Sequence, residues 1–123
     1  MCGGFYFNTM NVDALRNICL AFPGATESIK WGQDLVFSVG DKMFCATSFE
    51  EPFKCSFKVP DEAFEDLANR IGFIPAPYLA RAKWVMVSNE AGLSKQEWEE
   101  FLRQSHNLIA LKLTKKQRTV LGI

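Results

Sequence analysis

The segment Phe53-Lys-Cys-Ser-Phe-Lys-Val59 alternates apolar and polar residues without a break. Successive side chains on a strand point to opposite faces, so this pattern predicts a half-buried strand. Phe53, Cys55, Phe57 and Val59 face a core, and Lys54, Ser56 and Lys58 face water. A sheet with one apolar face needs a second layer to cover it, and amphipathic helices are the obvious candidates. Asn11 can cap a helix running to about Ala21, with Leu15, Ile18, Cys19 and Phe22 on one face and Pro23-Gly24 as the stop. Ser94-Lys-Gln-Glu97 forms a capping box that opens a helix from Lys95 to about Leu111. Trp98, Phe101, Leu102, Ser105 and Ile109 share its buried side, opposite Glu99, Glu100, Arg103 and Gln104.

The other segments fit the same scheme. Short strands are predicted at Ser28–Trp31, Leu35–Val39 and Lys42–Thr47, the last two joined by a tight Gly40-Asp41 turn. Pro60 suits the first turn of a helix in which Phe64, Leu67, Ala68 and Ile71 form the buried stripe and Glu62, Glu65, Asp66 and Asn69 the outer face. Phe73–Tyr78 contains two prolines, which excludes a helix interior or a central strand. Lys83–Val87 reads as a further strand with Trp84 and Met86 on one side. Thr114-Lys-Lys-Gln117 is a second capping box, opening a short basic helix. The expected architecture is α+β: a two-layer sandwich of a mostly antiparallel sheet with helices packed on one face. A chain of 123 residues fits one domain, placed at 10–123, with residues 1–9 expected to be a loosely packed extension such as an upstream start codon would add.

Several function classes drop out. There is no run of about 18 apolar residues to cross a membrane, and the amino terminus lacks the basic region of a signal peptide. The four cysteines, Cys2, Cys19, Cys45 and Cys55, form no C-x-x-C pair, and His106 is the single histidine. No metal site and no cofactor are expected, since zinc needs about four closely spaced N/S ligands. Cys19, Cys45 and Cys55 read instead as small buried hydrophobes in a reducing, cytoplasmic setting. His106 adjoins Ser105, but consecutive helical residues point about 100° apart and form no dyad by themselves. The expectation is a protein that is not an enzyme.

Charge gives the best functional signal. The chain is neutral overall, yet residues 1–69 carry 5 Lys/Arg against 10 Asp/Glu, while residues 70–123 carry 9 against 4. Arg81, Lys83, Lys112, Lys115, Lys116 and Arg118 make the carboxy-terminal third basic, the composition that phosphate backbones attract. The start of the Thr114 helix offers backbone N–H groups, and Tyr78, in the proline-rich stretch, suits contact with a sugar or base. Trp31 and His106 are candidates for an exposed partner surface. Glu62, Glu65 and Asp66 read as a solvated helix face.

Taken in order, Leu15–Glu27, Lys30-Trp31-Gly32, Phe37–Phe44, Lys58-Val-Pro60, Ala76-Pro-Tyr78, Lys83-Trp84-Val85, Arg103-Gln-Ser105 and Lys112–Lys115 resemble the bacterial MmcQ/YjbR family. The resemblance spans about residues 10 to 120. It implies a fold like that of the frataxin/CyaY group and a DNA-binding role, with no catalytic residues to carry over. Where relatives commonly have Tyr after the serine of the long helix, this chain has His106. The resulting expectation is a binding module making weak, sequence-independent contacts to DNA through the basic patch. The alternative is a protein-interaction or regulatory domain using the aromatic sheet face or the acidic helix.

Overall fold

The computed structural model describes residues 10–123, and the reading of residues 1–9 lies outside them. Ten elements follow in order: α1 (Val12–Leu20), β1 (Ala25–Lys30), β2 (Asp34–Val39), β3 (Lys42–Ser48), β4 (Lys54–Lys58), α2 (Phe64–Ala68), β5 (Phe73–Pro75), β6 (Trp84–Ser88), α3 (Lys95–Ala110) and α4 (Lys115–Leu121). The strands form one antiparallel sheet in the order β1-β2-β3-β4-β6-β5. Helices α1 and α3 pack on one face of it. This is the α+β two-layer arrangement that the alternating strand and the two amphipathic helices predict.

Local chemistry explains the boundaries. Asn11 caps α1 by accepting a hydrogen bond from the Ala14 N–H at 2.8 Å. Both capping boxes form, at Ser94/Glu97 and at Thr114/Gln117. Leu15, Ile18 and Cys19 of α1 and Trp98, Leu102 and Ile109 of α3 are buried against Leu35, Phe37 and Val39 of β2 and Cys55 and Phe57 of β4. The Trp98 ring meets Phe53 and Phe57 edge-on at centroid distances of 6.0 and 6.3 Å.

Several expectations need correction. β1 starts earlier, at Ala25, and Trp31 lies in the turn beyond it with φ of 53°. Phe73–Pro75 is not wholly irregular. It forms the edge strand β5, a position where proline removes no ladder bond the sheet needs. The helix after Pro60 begins as a 3₁₀ turn over Asp61–Ala63, and Ile71 is 81% exposed rather than part of a buried stripe. The chain has already left the helix at Asn69, so residue 71 no longer follows the helical period. Gly72 has φ of 83°, and a Cβ there would lie 2.2 Å from the backbone nitrogen of Ala91.

The most consequential irregularity sits in β3. Its pairing with β2 slips between Phe37/Cys45 and Ser38/Met43, leaving Phe44 as a bulge. The β3–β4 ladder correspondingly ends at the Cys45/Phe57 pair. Ser105 of α3 fills the gap. Its hydroxyl donates to the Phe44 carbonyl at 2.6 Å and accepts from the Lys58 N–H at 3.0 Å. A fully buried serine on the apolar side of a helix thereby satisfies two backbone groups that the bulge leaves unpaired.

Candidate anion-binding edge

The bridged gap lies at the end of the sheet where β4 finishes and β6 begins, with Lys58 opposite Trp84. A compact loop connects β5 to β6 at this edge. Ala76 N–H donates to the Trp84 carbonyl at 3.0 Å, Trp84 N–H to the Leu79 carbonyl at 3.3 Å, and Lys83 N–H to the Ala80 carbonyl at 2.9 Å. Closing the loop so tightly puts Tyr78 and Lys83 in the left-handed region, at φ of 66° and 65°. For residues with a Cβ this conformation costs about 1–2 kcal/mol each.

Lys58 is the residue that sequence reasoning placed wrongly. The alternation predicts a solvated ammonium, but Lys58 is only 7% exposed. Its side chain runs along the sheet end. Nζ donates to the Ala82 carbonyl in the β5–β6 loop at 2.5 Å, and the nearest carboxylate oxygen, on Asp61, is 3.9 Å away. Ser56, on the same sheet face, is buried as well. Burial holds the Lys58 ammonium below its ordinary 10.5. The charge of Lys112 and, more weakly, that of Lys83 act in the same direction, and only Asp61 opposes them. Lys83 is steadied by lying over the Phe64 ring at 5.1 Å.

The sequence-predicted basic residues divide into two groups. The charges of Lys112 and Lys83 act on Lys58, and Arg81 sits on the 3₁₀ turn whose Ala82 carbonyl Lys58 holds. Lys115, Lys116 and Arg118 belong to α4, which is anchored at the same end of the sheet but on its β1–β2 side. Leu113 lies beneath Gly40, and Leu121 lies against Gly24 and Val39. The charges acting on Lys58 do not include those of α4. At the start of α4 the capping box takes the N–H groups of Thr114 and Gln117, and not those of Lys115 and Lys116. Among the described residues the ion pairs are Arg16–Glu27 and Lys58–Asp61, and none of the six predicted cations is in an ion pair there.

The aromatic candidates also separate. Tyr78 is 103% exposed at the tip of the β5–β6 loop, and Trp31 is 70% exposed in the β1–β2 turn at the opposite end of the strands. His106 is not an exposed partner residue. It is 4% exposed, its Nε2 donates to the Pro23 carbonyl at 2.8 Å, and its ring packs edge-on against Phe44 at 5.2 Å. The bulge explains this: it turns Phe44 toward the helices, and His106, one position after Ser105, closes over it. Glu62, Glu65 and Asp66 are exposed, and among the described residues no group of three or more His, Cys, Asp or Glu is arranged to hold a metal ion. No helix among them is long and apolar enough to cross a membrane.

An antiparallel sheet with helices on one face defines a small α+β protein. The chain belongs to the YjbR family, whose profile matches residues 20–108. It is similar over 94% of its length, at 30% identity and a TM-score of 0.81, to a Deinococcus radiodurans protein with a DUF419 domain, 91% of which is covered. A Pseudomonas syringae protein solved by structural genomics shares the fold at 17% identity and a TM-score of 0.69, covering 81% of this chain and 99% of that one. No curated protein matches.

Proposed function

We propose that this protein is a non-enzymatic module that binds the phosphate backbone of DNA through the edge formed by Lys58, Lys83, Lys112 and Arg81. The observation that carries the reading is the burial of the Lys58 ammonium at that edge. A nearly buried ammonium has two further lysines acting on it and a single carboxylate at 3.9 Å. A desolvated positive charge is expensive unless paired, and an incoming anion would relieve both the burial and the repulsion. A string of phosphates supplies that charge without requiring base contacts. The buried free thiols Cys19, Cys45 and Cys55 favour a cytoplasmic setting for such a module.

The test is fluorescence anisotropy of labelled DNA titrated with protein between about 50 and 200 mM salt. Affinity should fall linearly on a log–log plot. Lys83→Ala/Lys112→Ala should weaken binding and flatten the slope by about two, whereas Lys115→Ala/Lys116→Ala/Arg118→Ala should change it less. Salt-independent binding, or binding lost only with the α4 cations, would remove this edge as the site.

A further inference from the structure

Resting on the DNA-backbone reading above, we infer that the edge selects an unpaired strand over a duplex, with Tyr78 as the platform on which a base stacks. Three observations converge on the β5–β6 loop. Tyr78 is wholly exposed and takes part in no aromatic pair among the described residues. Both left-handed side-chain-bearing residues of the loop, Tyr78 and Lys83, belong to the candidate site, and the loop's own hydrogen bonds fix them there. Strain of this kind persists where the surrounding structure enforces it, and it clusters at sites of contact with ligands. The cations needed for the phosphates are on the same loop or beside it: Arg81 and Lys83 follow Tyr78 by three and five residues, and Lys58 is tied to the Ala82 carbonyl.

A ring held out in solvent beside a row of cations suits single-stranded nucleic acid. Unpaired bases present a free face, and stacking on an aromatic ring tolerates any base. In a duplex the bases are stacked on one another, and only the phosphates are offered to the edge. Tyr78 therefore adds affinity for an open strand and nothing for a paired one. Trp31 lies at the far end of the strands and plays no part in this contact.

The experiment compares three labelled DNA ligands of about 12 nucleotides at matched salt: a base-bearing single strand, an abasic strand of the same length, and a duplex. Wild-type protein should prefer the base-bearing strand by about tenfold. Tyr78→Ala should lose about that factor on the base-bearing strand alone, and Tyr78→Phe should keep it. If Tyr78→Ala binds the base-bearing strand as wild type does, while Lys83→Ala/Lys112→Ala still weakens it, the stacking inference is wrong and the backbone reading stands. An equal loss on the abasic strand would also overturn it, because Tyr78 would then be acting on the loop. Failure of all three ligands to bind, or indifference to the lysine substitutions, would end both readings.

Discussion

Ser105 and the Lys58 ammonium are both polar, both buried and both tied to the same short stretch of β4, yet they end in opposite states. The Ser105 hydroxyl donates once and accepts once, at 2.6 and 3.0 Å, and the Phe44 carbonyl and the Lys58 N–H are thereby satisfied. The Lys58 ammonium has a carbonyl and one carboxylate 3.9 Å away, set against two neighbouring lysines. A buried group whose hydrogen bonds all close within the chain serves the fold. A buried charge left with like-charged neighbours is better explained by something that binds. On the proposed reading, the pair sets burial that serves the fold beside burial that serves binding, within one strand end.

The largest expected effect breaks the structural half of this contrast. Ser105→Ala orphans a buried N–H and a buried carbonyl at about 1–3 kcal/mol each, so it should destabilise the fold by about 2–4 kcal/mol, read as a lower urea midpoint at unchanged m. A loss below about 1 kcal/mol would mean that the bulge finds other partners. Lys83→Ala/Lys112→Ala tests the functional half. It should lower DNA affinity by about tenfold at low salt while shifting stability by no more than about 1 kcal/mol, the size of the lost Lys83–Phe64 contact. A large loss of stability instead would make these lysines structural.

The smallest effect sharpens the contrast through pH. Because the folded Lys58 pKa lies below 10.5, the folded state favours the neutral amine. The unfolded chain binds more protons between the two values, so this group's contribution to stability rises with pH through that window and is lost below the folded pKa. Cys45 acts oppositely. Burial, and secondarily its contacts with Cys19 and Cys55, raise its thiol well above the ordinary 9.0, so its contribution is present below 9.0 and declines as pH rises further. Subtracting the stability profile of Lys58→Met from that of the wild type should isolate a rising curve, and the same subtraction with Cys45→Ala a falling one. Lys58→Met itself should be neutral or stabilising by up to about 1 kcal/mol near neutral pH. A loss of about 3 kcal/mol would instead make the Lys58–Ala82 contact a structural one.

Much of the fold was legible because period and capping chemistry are local. The alternation of Phe53–Val59, the heptad-like spacing of Leu15, Ile18 and Cys19, and the two capping boxes all report on neighbours a few residues away, and each element formed. The bulge at Phe44 was not legible, since nothing in Met43-Phe-Cys45 marks a residue that pairs with neither flanking strand. Without the bulge, Ser105 had no visible task and His106 looked like a boundary residue. The basic candidates were legible as a composition, but their division into two groups depends on where α4 is anchored, which Leu113 on Gly40 decides through a contact distant in sequence. Lys58 was missed because alternation assigns a face without saying whether another segment, here the loop carrying Ala82, covers its end.

The central claim is that the Lys58 charge is held at a disadvantage that an anion removes. The most direct measurement is the Lys58 pKa by NMR of the side-chain ammonium or its adjacent carbon, with and without a saturating oligodeoxyadenylate strand. The account predicts a value below 10.5 in the free protein that rises when the strand binds. A free-protein value at or above 10.5, or one that the strand leaves unmoved, would contradict it.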